Sequence, residues 1–290
     1  MHTENNNIKK QFEDCLRDYV RDSSGHFSGG DKLNADMFEE LLDQENSSRY
    51  LCSKLEKQFG ELKDKRILDI GCGSGGRTVV LAHTGARLVG IDPAINAIKA
   101  SILRGLLSPE LDINFLIGEG EYLSFSGESF DLVTSFYSLE HTKDMKKVVS
   151  EVNRVLKKSG FFYCELPNSF FPQESHYRIF WFPLAPKWFN RIYLRIRRKD
   201  VRGLEDINRI SREGMIKQLK EVGFTDIQDV NIDYVKKRIN NPESIVSPAK
   251  RMIARFLVRL KMQKVFEFLI IRMGLYPAIH LIARKYEKNV

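Results

Sequence analysis

The stretch ILDIGCGSGGRTVVLAHTGARLVGID, Ile67 to Asp92, constrains the fold more than any other part of the chain. KRILDIG is a short apolar run ending in glycines, GRTVVLAHTG has helical spacing and closes at Gly85, and RLVGID is a second apolar run. Strand, glycine turn, helix and strand make a βαβ unit, and such units build parallel sheets. The alternation continues. PAINAIKASILRGLL opens with Pro93, a residue favoured at helix starts; INFLIGE and FDLVTSFYS predict a third and a fourth strand. KDMKKVVSEVNRVLKKSG predicts an amphipathic helix ending in lysines and Gly160, and FFYCEL a fifth strand stopped by Pro167. The predicted fold class is α/β, a doubly wound, mostly parallel, Rossmann-like sheet.

Three further regions surround this core. Residues 1–64 read as an N-terminal helical cap, polar and broken at SSGHFSGGD. The core spans 65–235 and includes an insertion over 167–210, where nine aromatics fall between Phe170 and Tyr193 and prolines rule out a single helix. SREGMIKQLKEVGFTDIQDV then restores the pattern, with Ser211 as N-cap, a helix to Gly223 and a strand. Residues 236–290 read as a basic helical C-terminal extension. There Ile253, Phe256, Leu257 and Leu260 follow i, i+3, i+4, i+7, and Arg251, Arg255 and Arg259 fall opposite them. The later FLIIRMGLYPAIHLIARKYEK contains Arg272 and Pro277 and is too interrupted for a membrane span, which needs about 20 apolar residues.

The charge is uneven. Residues 187–290 hold 24 Lys and Arg against 11 Asp and Glu, so the C-terminal third carries the whole basic excess of a chain with net charge +8. Such a surface suits an anionic membrane, an anionic substrate or nucleic acid, or is simply solvated. Cys15, Cys52, Cys72 and Cys164 are far apart with no CxxC pair, which argues against a zinc ribbon or disulfide framework; no metal site is expected. The first residues lack an apolar h-region and do not read as a signal peptide, so a cytoplasmic location is expected, with peripheral membrane contact through the C-terminal helices as a possibility and a dimer interface as its rival.

Gly71, Gly73 and Gly76 satisfy G-x-G-x-x-G, and Asp92 lies 19 residues beyond Gly73, which is the dinucleotide context of a dehydrogenase. Three features oppose that reading. Asp69 stands at the mouth of the turn, where it would repel a pyrophosphate and suit a cationic ligand. Gly71, Gly73 and Gly75 also fit D-x-G-x-G-x-G. The third strand runs into GEGEYLSF, polar groups at the carboxyl edge where such sheets bind ligands.

LDIGCGSGG, GID, GEGEYLSF, SFDLVTSFYSLEH and RVLKKSGFFYCELPN, in this order over about Lys65 to Asn168, resemble the class I S-adenosylmethionine-dependent methyltransferases, closest to the group that includes quinone-biosynthesis enzymes. The resemblance implies S-adenosyl-L-methionine as cofactor. The glycine turn, with Asp69, Gly71, Cys72, Gly73 and Gly75, would cradle its methionine part, and Asp92 would accept bonds from its ribose hydroxyls. Glu119, where the family usually has Asp, would hold the adenine amino group, with Gly120, Glu121 and Pro93 around it; Ile91 and Ala94 are read as core or as ribose and adenine contacts.

For catalysis, His141 follows the fourth strand and His176 lies in the aromatic insertion beside Glu174 and Tyr177, a candidate general base if the insertion is a lid. The aromatics favour a small or lipid-like acceptor, quinone-like, a lipid-linked sugar or a secondary metabolite, and O-methylation. An RNA or protein methyltransferase using the basic third, a non-catalytic binding protein and a dehydrogenase remain alternatives; no RNA-binding module or N/D-P-P-Y/F signature is seen, so nucleic acid is disfavoured.

Overall fold

The computed structural model describes residues 2–24, 30–174, 177, 179–183, 185–204, 207–232, 236, 241, 252, 255, 256, 258–274 and 276–286. Five parallel strands are formed by the predicted segments: β1 (Arg66–Ile70), β2 (Arg87–Asp92), β3 (Ile113–Ile117), β4 (Phe130–Phe136) and β5 (Leu156–Pro167). With β8 (Phe224–Asp229) and β9 (Ala278–Lys285) they make one seven-stranded sheet in the order β3-β2-β1-β4-β5-β9-β8. The reversal of strand order falls between β1 and β4, and in open α/β sheets the crevice at such a reversal holds the ligand.

Helices cover both faces. On one, α4 (Tyr50–Phe59) and α5 (Gly76–Ala82) meet Ile67, Leu88 and Leu132 of the strands. On the other, α7 (Met145–Val155) and α9 (Arg212–Val222) bury Val148, Val152 and Leu219 against Leu68, Val133 and Phe162. Strand alternation sorts Ile67 and Leu68 to opposite faces. The α7 helix ends at Val155, earlier than its lysines suggest: Leu156 to Gly160 already belong to β5, because Leu156 pairs with Phe130.

The N-terminal cap contains α1 (His2–Ser24), α2 (Gly30–Leu42) and α3 (Gln44–Ser48) ahead of α4. Phe12, Leu16 and Val20, at i, i+4 and i+8 of α1, bury against Phe38 of α2 and Ala100 of α6 (Ile95–Leu106). Arg104 of α6 is 2% exposed; its guanidinium donates to Leu41 O (2.7 Å), pairs with Glu45 (3.1 Å) and lies over the Phe12 ring. A buried cation with those partners ties the cap to the sheet domain.

The aromatic insertion is a two-stranded hairpin, β6 (Gln173–Glu174) with β7 (Ile179–Phe180), followed by α8 (Lys187–Ile196).

The C-terminal segment differs from its reading as a helical extension. Among the described residues there, Gln263–Met273 form the helix α10, and Gly274, at φ 59°, caps it. After Pro277 the chain enters the sheet as β9, antiparallel to both neighbours, so residues 278–285 are core. Pro248, Arg251, Ile253 and Leu257 of the expected amphipathic helix lie outside the described residues. Among the described residues no helix is long and apolar enough to cross a membrane.

Candidate functional site

The chain leaves β1 at Ile70 and must turn sharply to start α5. Gly71 takes φ 71°, and a Cβ there would lie 2.2 Å from Ser138 Cβ. Ser138 sits so close because its hydroxyl donates to Ile70 O at 2.8 Å. The turn is fixed to β2 by the amides of Gly71 and Cys72, both of which donate to Ile91 O (2.8 and 3.0 Å). Gly75, at φ 80°, has the Phe115 ring and Ser101 within 2.9 Å of a Cβ position.

Two carboxylates flank the turn. Asp69 is 1% exposed and accepts from the hydroxyls of Thr78 (2.7 Å) and Thr134 (2.9 Å). It is therefore buried at the end of β1, with its carboxylate held by those two hydroxyls. Burial pushes its carboxyl up to about 6, against the lowering effect of the two hydroxyls. Because the folded value exceeds the ordinary 3.8, the folded state holds a proton that the unfolded chain has already lost. The stability from this group is present below about pH 4 and lost as pH rises through 6. Relative to Asp69→Asn, the wild-type protein is expected to lose roughly 3 kcal/mol between about pH 4 and 7. Urea unfolding of both proteins across that range measures the difference; a flat difference would contradict the buried position.

Asp92, at the end of β2, accepts from Gly73 N (3.0 Å) and Ala94 N (2.9 Å), and burial raises its carboxyl. It thus links the glycine turn to the start of α6, with Pro93 exposed between. Cys72 is buried, and burial with Asp69 and Asp92 nearby raises its thiol well above the ordinary value, so it packs as a neutral group.

The acids after β3 divide. Glu119 is exposed and pairs with Lys143 (3.1 Å). Glu121 is 7% exposed and accepts from the amides of Lys143 (2.8 Å) and Asp144 (3.2 Å), so it braces the start of α7 rather than facing a ligand. Gly120 is buried against Ile70 and Val148.

His141 ends a 3-10 turn, Leu139–His141, with Nε2 4.0 Å from the buried Glu140 carboxylate. His176 lies outside the described residues, as does the side chain of Glu174. Beside Glu140 is a partly open hollow whose walls include Asn168, Tyr177, Trp181, Leu204 and Arg209. Asn168 is held by donation to Gly274 O (2.6 Å) and Tyr276 O (2.9 Å), and Arg209 by donation to Pro183 O (2.6 Å). The turn from Tyr137 to His141 thus has Ser138 against the glycine turn and Glu140 in the hollow.

Sequence reasoning missed three features. Tyr19 of α1 brings its hydroxyl 3.4 Å from a Cβ position on Gly73; burial and Asp92 raise its pKa, so it stays protonated. The Phe12, Leu16, Val20 stripe shows that α1 packs, but not over what. Glu140 and Arg209 reach the hollow through chain segments far apart in sequence. Beneath Tyr137, Lys54 of α4 donates to Glu165 Oε1 (3.0 Å) and lies 3.1 Å from His280 Nδ1, with Tyr163 hydrogen-bonded to both Lys54 and Glu165. Burial lowers the His280 value.

A family described as "Methyltransferase domain" matches residues 68–164, which hold the glycine turn, Asp92, Glu119 and His141. The demethylmenaquinone methyltransferase of Lactococcus lactis subsp. lactis is 33% identical over 115 residues, 39% of this chain and 46% of the relative. Residues 68–164 thus carry a methyltransferase domain, similar to those of class I S-adenosylmethionine-dependent enzymes. The ubiquinone biosynthesis O-methyltransferase of Pelagibacter ubique is 23% identical to this chain over 205 residues, 67% of this chain and 85% of the relative. The chain spans about half the length of most of the curated relatives it matches. The YcgJ protein of Bacillus subtilis shares the fold, with TM-score 0.52, 18% identity and coverage of 83% of this chain and 99% of that one. The family's cofactor is S-adenosyl-L-methionine. The donor set here fits it: two buried carboxylates flanking an open-backbone turn suit a cationic sulfonium with ribose hydroxyls and disfavour a pyrophosphate.

Proposed function

We propose that this methyltransferase transfers the methyl group of S-adenosyl-L-methionine to an oxygen of a ring-bearing, lipid-like acceptor held in the hollow beneath the aromatic insertion. The observation that carries the reading is the single turn, Tyr137 to His141, that touches the glycine turn through Ser138 and the hollow through Glu140. The cofactor supplies a methyl group on a sulfonium, and transfer to an acceptor needs alignment and exclusion of water more than covalent help. The chain's residues supply both. The glycine turn receives the methionine part, Asp92 the ribose hydroxyls and Glu119 the adenine edge. Tyr19 closes the outer side. Trp181, Tyr177 and Leu204 give a ring an apolar wall, while Asn168 and Arg209 supply polar atoms. Glu140, which lines the hollow, would hold a hydroxyl proton, with His141 Nε2 4.0 Å from its carboxylate. The names of the relatives, a demethylmenaquinone methyltransferase and ubiquinone O-methyltransferases, support a quinone-like ring.

Calorimetry with S-adenosyl-L-methionine, its demethylated product and NAD tests the cofactor, with binding expected for the first two alone. A carboxylate accepting two hydroxyls makes charge-assisted bonds worth roughly 1.5–3 kcal/mol each. Asp92→Ala is therefore expected to weaken cofactor binding by at least about tenfold while the protein stays folded. Unchanged affinity would place the ribose elsewhere. Incubation of cell extract with methyl-labelled cofactor, read by mass spectrometry, identifies the acceptor; label recovered only in RNA or protein would reject a small acceptor.

A further inference from the structure

The α8 helix is amphipathic in the reverse sense for a helix facing water. Its inner side, Asn190 and Leu194, is 0% exposed, and Leu194 packs with Tyr177, Ile179, Trp181 and Leu204. Its outer side carries Trp188, Ile192 and Ile196 at i, i+4 and i+8, which are 62%, 49% and 73% exposed. Successive helical residues advance by about 100°, so these three form one stripe opposite the buried side. The hairpin adds to it: strand alternation turns Ile179 and Trp181 inward and leaves Phe180 and Phe182 in solvent. Phe180 meets Phe182, Phe182 meets Phe189 and Phe189 meets Trp188, ring to ring at 5.1, 5.4 and 6.1 Å, so the apolar surface is continuous.

Its charge has one sign. Between Ile179 and Lys199 the sequence holds Lys187, Arg191, Arg195, Arg197, Arg198 and Lys199 and no acid. Arg195, Arg197 and Arg198 are exposed, at and just past the end of α8. A partner that offers both apolar depth and dense negative charge is an anionic lipid surface.

We infer that α8 and the Phe180–Phe182 segment dock this protein on an anionic bilayer, with Trp188, Ile192 and Ile196 entering the headgroup region and Arg195, Arg197 and Arg198 meeting lipid phosphates. The inference deepens the reading of a lipid-like acceptor and rests on it. Trp181 and Leu204, directly behind the docked face, line the hollow, so an acceptor leaving the bilayer meets that wall first. The surface differs from the expected one near Phe256: it lies in the insertion, next to the site.

Sedimentation of the full chain with phosphatidylglycerol vesicles and with phosphatidylcholine vesicles, at low and high salt, tests this. The protein is expected to pellet with phosphatidylglycerol at low salt, to be released as salt rises, and to ignore phosphatidylcholine. Trp188→Ala with Ile196→Ser, and separately Arg195→Glu with Arg198→Glu, are each expected to weaken vesicle binding about tenfold or more and to leave cofactor binding by calorimetry unchanged. Protein that stays in the supernatant at low salt overturns the inference, as does vesicle binding that both variant pairs leave intact. Light scattering provides a further arm: a dimer that Trp188→Ala with Ile196→Ser converts to monomer means that a second copy covers the face, and the inference fails. Vesicle binding without any binding of S-adenosyl-L-methionine leaves the docking surface standing and rejects the methyltransferase reading; cofactor binding with no vesicle binding does the reverse.

Discussion

A chain ending at Pro277 is expected to lose cooperative folding. The deletion removes β9, which is hydrogen-bonded on both sides, from Phe161 to Pro167 along β5 and from Phe224 to Asp229 along β8. Ile279 and Leu281 are 0% exposed and pack into the cluster under α7 and α9, while Ile282 reaches the opposite cluster. Burial of each such side chain contributes roughly 1.5–3 kcal/mol, before the lost ladder bonds are counted. Domains of this size are stable by only about 5–15 kcal/mol, so losing three anchors with a strand exceeds what the rest can offset. The deletion would also expose two unpaired strand edges, which favours aggregation. The test is a urea titration followed by circular dichroism and tryptophan emission, with no shared sigmoidal transition expected. A truncated protein that unfolds cooperatively and binds cofactor would show β9 to be dispensable. Read as a helical appendage, this same segment suggests the opposite: that a chain cut at Pro248 keeps its nucleotide site. The pairing of β9 with both β5 and β8 argues against that expectation.

Gly71→Ala is expected to have the next largest effect, and at the site itself. Two costs combine. A residue with a Cβ pays about 1 kcal/mol to take the left-handed conformation that Gly71 occupies at φ 71°. The new methyl would also lie 2.2 Å from Ser138 Cβ, an atom fixed to its backbone, so one of two tightly bonded segments must shift. Such overpacking costs about 1–3 kcal/mol. The sum predicts a loss of roughly 3 kcal/mol in urea unfolding and no cofactor binding detectable by calorimetry. Ser138→Gly in the same chain removes the clash but not the backbone strain, so it is expected to recover part of the stability. A Gly71→Ala protein with the wild-type midpoint and affinity would contradict the close approach.

Much of the core was legible in the sequence because its signals are local. β1, the glycine turn and α5 are specified by an apolar run followed by glycines, which take positive φ without steric cost. Asp92 could be named because its place at a strand end, beside that turn, follows from the order of elements. The same reasoning misplaced the C-terminal residues. AIHLIARK lies between Pro277 and polar residues, a length suited to a strand, yet the apolar helical pattern just before it carried the reading past Gly274. Periodicity alone does not separate a short buried strand from a helix.

The sequence by itself determined the α/β class, the βαβ start, the glycine turn with its two carboxylates and the aromatic character of the insertion, since each depends on neighbours a few residues away. Only the tertiary structure decided what those residues meet. It set Glu121 as a brace and left Glu119 exposed, put Tyr19 against Gly73, gathered Lys54, Tyr163, Glu165 and His280 from three elements, and turned Trp188, Ile192 and Ile196 to solvent. The physical reason is common to all of them. A side chain's protonation, exposure and partners are fixed by atoms brought near it by packing, many from positions more than fifty residues away, and no local pattern of residue types encodes that proximity.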